Sequence, residues 1–373
     1  MQGETLWQRE VCPECLLYEP CGGAETSPCT CIRSGDARYD CENCDIVCRD
    51  RHAPASAALP DTLASHASVG RDIEQVAVNQ SLAAPLPLLI PMQTNKLPKG
   101  LRPSYEWIGV DLNHLFDYSN FPGQPHGRYE STSEARAFLR AREDTKLVAV
   151  LNARDRYLER FWASDRQAFY EMLLENGFAA ATGPTFSVYE QTSDNSKRVP
   201  DSHTVTMLRR HHRVVEELSE AGITPLPNLY SRNERDRRKW IAWLAENPTV
   251  SIVSCDFTCT KTASVEYRRY LDDLATMLAE VGRPLHVLLQ GIGNARATHA
   301  LIELAKAGCT CSFTISDPII KGRNGRALLY HESNEPLVVE PRTKISRPAL
   351  ARKNVEVMRA HLSAVARGFP AYQ

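Results

Sequence analysis

From residue 85 onward, eight short apolar runs alternate with amphipathic stretches of helical period, which restricts the chain to architectures built from parallel β/α units. The runs are Leu88–Met92, Trp107–Leu112, Lys146–Asn152, Ala180–Tyr189, Ile223–Tyr230, Val250–Thr258, Pro284–Gly291 and Cys309–Ser316. Helices are expected between them over Ser133–Glu143, Ser164–Asn176, His203–Ala221, Arg232–Asn247, Ser264–Val281 and Ala295–Lys306. Gly177, Gly222, Gly282 and Gly308 each stand where a helix should stop and a strand begin, the place of a C-terminal cap. The economical reading is an α/β fold, a (β/α)8 TIM-like barrel over residues 85–332. An open doubly wound sheet competes, and the lack of G-x-G-x-x-G after an early strand counts against it.

The N-terminal segment, residues 1–52, follows different chemistry. Eight of the 12 cysteines fall there as C-P-E-C-x5-C-x7-C-T-C-x9-C-E-N-C-x3-C: Cys12, Cys15, Cys21, Cys29, Cys31, Cys41, Cys44 and Cys48. Pro, Gly and acidic residues surround them, so bonds to sulfur must replace a hydrophobic core. Eight thiolates suffice for two closed tetrahedral zinc sites of structural type. An iron–sulfur cluster is the alternative, since Cys12, Cys15 and Cys21, or Cys41, Cys44 and Cys48, supply most of a four-iron ligand set. Arg33, Arg38, Arg49 and Arg51 offer this metal-binding module a way to contact DNA. Residues 53–84 read as a linker. Cys255, Cys259, Cys309 and Cys311 are dispersed among strand residues and read as core or pocket lining.

A formal charge of -1 conceals basic clusters at Arg209, Arg210, His211, His212, Arg213 and at Arg235, Arg237, Arg238, Lys239. Residues 333–373 form a basic extension with a helix, and from Arg342 onward Lys344, Arg347, Arg352, Lys353, Arg359 and Arg367 stand against Glu356 alone. These clusters make nucleic acid, DNA in particular, the expected partner. No stretch approaches the roughly 18 apolar residues of a membrane span, and a basic-then-apolar leader is missing from the N-terminus, so a cytoplasmic location is expected.

A barrel of this kind works at the carboxyl ends of its strands. Polar residues gather there: Asp111 and Asn113, Asn152, Thr182 and Thr185, Asn228 and Tyr230, Asp256, Gln290 with Gly291, and Asp317. Any one of them would serve equally as a helix N-cap. Asn113, Asn152, Asn228 and Gln290 have the amides to read a base edge, and Tyr189, Tyr230 and Phe257 the rings to stack on it or to pack the barrel. Lys321, Arg323 and Arg326 follow Asp317 in a glycine-containing loop, suited to phosphate contacts or to solvent.

The last unit, from H-V-L-L-Q-G-I-G-N-A-R through A-K-A-G-C-T-C-S-F-T-I-S-D-P-I-I-K-G-R-N-G, resembles the end of the tRNA-guanine transglycosylase barrel. That superfamily includes enzymes that exchange or remove bases in DNA. The resemblance covers residues 85–330 and implies that Asp317 is the nucleophile at C1′ and Asp111, in G-V-D-L-N-H-L-F, the acid/base. Leu112, Asn113 and His114 replace the small residues that would admit a 7-deazaguanine, and the cysteines precede the barrel instead of following it. The implied activity is that of a DNA glycosylase, an N-glycosyl hydrolase that removes a modified base, glucosylated hydroxymethylcytosine of phage DNA, and leaves an abasic site in antiviral defence. A transglycosylase inserting a 7-deazaguanine into DNA or tRNA is the alternative. A non-catalytic zinc protein that binds nucleic acid is the alternative of another class.

Overall fold

Eight parallel strands carry the fold, and each falls inside one of the expected apolar runs, except that one begins two residues earlier: β1 Leu89–Pro91, β2 Trp107–Asp111, β3 Lys146–Val150, β4 Phe178–Thr182, β5 Thr224–Leu226, β6 Ile252–Asp256, β7 His286–Gln290 and β8 Thr310–Ile315. The computed structural model describes residues 70–93, 101, 105–116, 129, 131–188, 201–231, 233–258, 264–329, 337–340 and 344–373. The cysteines of residues 12–48, together with Tyr189 and Cys259, lie outside the described residues.

The strands form two four-stranded parallel sheets, β2-β3-β4-β5 and β1-β8-β7-β6. A parallel bridge between Met92 and Gly109 joins the end of β1 to β2, and one between Asn228 and Ser254 joins the end of β5 to β6. The backbone bonds there are short, 2.7 Å from Gln93 N to Gly109 O and 2.7 Å from Leu229 N to Ser254 O. Trp107, Val148, Val150, Ala180, Leu226 and Leu288 pack with Ile90 and Leu86 into one buried cluster. Continuous apolar runs are what a parallel sheet covered on both faces requires.

The glycine caps form as expected. Gly177, Gly222, Gly282 and Gly308 have φ of 71, 83, 74 and 75°, the left-handed conformation that lets a helix end abruptly. At Gly308 the following N–H of Cys309 reaches back to Leu304 O at 2.9 Å and satisfies a terminal carbonyl. The helices Thr132–Leu139, Arg166–Glu175, Asp201–Glu220, Glu234–Glu246, Ser264–Glu280 and Asn294–Lys306 match the expected ones within a few residues. Three others, Leu112–Leu115, Asp155–Trp162 and Asp317–Arg323, were not apparent in the pattern because they are too short to show a helical period.

The chain divides into two units, one of Met1–Val76, Phe186–Val214 and Tyr230–Lys239, the other of Ala77–Thr185, Val215–Leu229 and Trp240–Gln373. In the described part of the first, Arg209 pairs with Asp72 at 3.2 Å and Lys239 with Glu74 at 2.8 Å. His212 donates from Nδ1 to Arg71 O at 2.9 Å, and burial pushes its imidazole down to about 4.

The second unit contains all eight strands and the C-terminal helix Arg347–Ala366. Leu350, Ala351, Val355, Met358, Leu362 and Val365 bury one face of that helix, whereas Arg352, Lys353, Arg359 and Arg367 lie exposed on the other. A bidentate Arg166–Glu217 pair at 2.8 Å, with Tyr170 donating to the same carboxylate at 2.8 Å, ties the helix before β4 to the helix before β5. Among the described residues no helix is long and apolar enough to cross a membrane.

Candidate functional site

Side chains two residues apart on a strand share a face, so the buried cluster fixes which polar residues face the core at the strand ends. Counting on from Trp107, Val150, Ala180, Leu226, Ile252 and Leu288 in steps of two reaches Asp111, Asn152, Thr182, Asn228, Asp256 and Gln290. The strand register sets Asp256 beside Gln290, and Gln290 beside Thr314.

Asn152 is the hub. Its Nδ2 donates to Asp256 Oδ2 at 2.8 Å and to Thr258 Oγ1 at 2.9 Å, while its Oδ1 accepts from Thr185 Oγ1 at 3.1 Å. Three separate β/α units therefore meet at one amide. Asp256 Oδ1 accepts from the Thr258 N–H at 2.8 Å and from its hydroxyl. Burial pushes the Asp256 carboxyl above its ordinary range, and the two bonds from Thr258 pull the other way. Gly291 has φ 71°, and its Cα packs so closely on the Thr258 backbone that no side chain fits.

Gln290 is 1% exposed, and among the described residues neither its Oε1 nor its Nε2 has a hydrogen-bond partner. A buried carboxamide with both ends unsatisfied is costly to keep, on the order of 1–3 kcal/mol per polar atom. In native proteins such groups are completed by an ordered water, an ion or a ligand.

The two aspartates implied as catalytic are held separately. Asp111 occupies the N-cap position of the helix Leu112–Leu115, yet its side chain makes no cap bond; it receives His114 Nδ1 at 2.7 Å instead. His114 is 3% exposed, and its Nε2 is buried with no partner among the described residues. Asp317 is the first residue of its helix, with Ser316 as N-cap, and its carboxylate is bound by Lys321. Lys321 also donates to Asn294 Oδ1 at 3.0 Å.

The remaining expected residues divide. Asn113 is half-buried on the helix Leu112–Leu115, and Arg323 donates from Nε to Asn324 Oδ1 at 3.4 Å. Tyr230 belongs to the other unit, where its ring meets His211 edge-on at 5.0 Å. Phe257 is buried against Tyr267 at 5.7 Å, so it packs the fold. Cys309 and Cys311 are buried as core residues, with Cys311 Sγ 3.2 Å from the Tyr372 hydroxyl. Among the described residues no group of three or more His, Cys, Asp or Glu could hold a metal ion.

His114, Thr258 and Asn294 were not among the expected site residues. The i, i+3 spacing of Asp111 and His114 was the available signal for the first. The D-x-T spacing of Asp256 and Thr258, suited to an Asx turn, was that for the second. Nothing local marks Asn294, whose hydrogen-bond partner Lys321 lies 27 residues away. No protein-family model matches this chain, and no curated protein matches it.

Proposed function

We propose that the eight strands close into one (β/α)8 barrel, with the Met92–Gly109 and Asn228–Ser254 bridges as its two seams, and that its carboxyl end cleaves the N-glycosidic bond of a base in nucleic acid. The observation that carries this reading is the pairing of Gln290, an unsatisfied buried amide, with Asp256, a carboxyl that burial biases toward its neutral form. An amide presents one donor and one acceptor side by side, the complement of a base edge, and a base must leave its helix to reach such a pocket.

Departure of the base leaves an oxocarbenium-like sugar, which a carboxylate stabilises or traps. Asp317 has that part, held by Lys321, and Asp111 is the second carboxylate, the acid/base that assists departure of the base. Water then completes the reaction. The bulk of Leu112 and His114 beside Asp111 favours hydrolysis over insertion of a large incoming base. The substrate we propose is a modified base in DNA, glucosylated hydroxymethylcytosine, with the exposed Arg352, Lys353 and Arg359 lying against phosphates.

Exposure of the protein to unmodified, hydroxymethylated and glucosylated DNA, followed by mass spectrometry for released base and by alkali for strand breaks, tests this directly. Free base with alkali-labile sites is expected, and is lost in Asp317→Asn. Incorporation of a labelled 7-deazaguanine without abasic sites would replace hydrolysis by exchange, and no change to any DNA would refute the reading.

A further inference from the structure

Lys321 lies one helical turn after Asp317, a spacing at which ion pairs are common and contribute little when exposed. Here a third group joins. Asn294, 8% exposed, is the first residue of the helix Asn294–Lys306 and accepts a bond from Lys321 Nζ at 3.0 Å. The Lys321 side chain itself is 17% exposed. A lysine ammonium is a point charge on a flexible stem with no direction of its own, so two acceptors from different β/α units convert it into a fixed one.

The helix that carries Asp317 and Lys321 is also held at its start, and the chain just beyond its end is held by the same residue. Asn354 of the C-terminal helix donates to Pro318 O at 3.1 Å and to Arg326 O at 2.9 Å, and accepts from Leu328 N at 2.9 Å. The pair therefore cannot be relocated by a small helix movement.

We propose that Asn294 and Lys321 are positioning residues for Asp317. Asn294 holds the Lys321 ammonium, and the ammonium in turn sets the orientation of the Asp317 carboxylate. This assigns Lys321 a partner inside the protein, in place of a phosphate, and gives Asn294 its first role. The proposal rests on the reading that Asp317 meets the anomeric carbon.

Two measurements on the full chain test it. Competitive acetylation, read by mass spectrometry with exposed Lys306 as the internal reference, should show Lys321 labelled several-fold faster in Asn294→Ala than in the wild type, and at the wild-type rate in Asn294→Asp, which keeps the acceptor. Equal labelling of Lys321 in wild type and Asn294→Ala overturns the hold. In steady-state base release, Asn294→Ala should lower kcat by roughly ten- to a hundredfold with KM unchanged, as misplacement of a reacting group does, and Asn294→Asp should recover most of it. A raised KM at constant kcat would make Asn294 a substrate contact and overturn the proposal. Should the wild type release no base at all, the glycosidic reading fails, while the labelling result still decides whether Asn294 holds Lys321.

Discussion

Gly322 lies so close to Ala351 that a methyl group placed on it would overlap the backbone of the C-terminal helix. The helix bearing Asp317 is thereby pressed against Arg347–Ala366, and Asn354 laces its start and the chain just beyond its end to the same support. Gly322→Ala should cost about 1–3 kcal/mol, because backbone has to move to admit the methyl. Urea unfolding of the two proteins measures this, and a change below about half a kcal/mol would show that the two helices separate easily.

Gln290→Leu should stabilise the protein, by on the order of 1 kcal/mol, since it replaces two unsatisfied buried atoms with an apolar group of similar size. The same variant should lose base release. Higher stability with lost activity marks a residue kept for its ligand. A destabilised Gln290→Leu would mean that the amide already has a structural partner.

Gly291→Ala should do more damage than Gly308→Ala, although both positions have a left-handed backbone. At Gly308 nothing lies within 4 Å of the added methyl, and the cost is conformational, about 1 kcal/mol. At Gly291 the methyl meets Thr258, which orients Asp256 and bonds Asn152, so base release should fall as well. Equal thermal shifts and equal activities in the two variants would remove the link between Gly291 and the site.

His286 has both ring nitrogens occupied, Nδ1 against Thr310 Oγ1 and Nε2 against Ser312 Oγ, each at 2.8 Å. Burial pushes its imidazole down from 6.5 to about 4. The unfolded chain therefore takes up the proton first, so the stability this residue provides is complete above pH 6.5 and is lost as pH falls toward 4. Between pH 7 and pH 5 the wild type should lose about 2 kcal/mol through this residue. Urea midpoints for wild type and His286→Gln should converge over that range, and parallel curves would show that His286 takes up its proton equally in the folded and the unfolded chain.

Much of the strand framework could be read without coordinates. The run Val250–Thr258 contains β6, and Pro284–Gly291 contains β7, because apolar period and a closing glycine are local properties. Asp111, Asn152, Asp256, Gln290 and Asp317 were equally visible as polar endings of those runs. What each does was not visible. Capping and chemistry use the same residue types, and only the position of His114 shows that Asp111 spends its carboxylate on an imidazole and makes no cap bond.

Residue order by itself therefore determined which segments hold the strands, since backbone preference and burial pattern act over a few neighbours. Tertiary structure alone decided that Asn152 reaches Asp256, that Asn294 takes hold of Lys321, and that Gln290 is enclosed without a partner among the described residues. Those relations join residues 104 and 27 positions apart, or depend on what fails to approach an atom, and they exist only once the parallel strands have been set side by side.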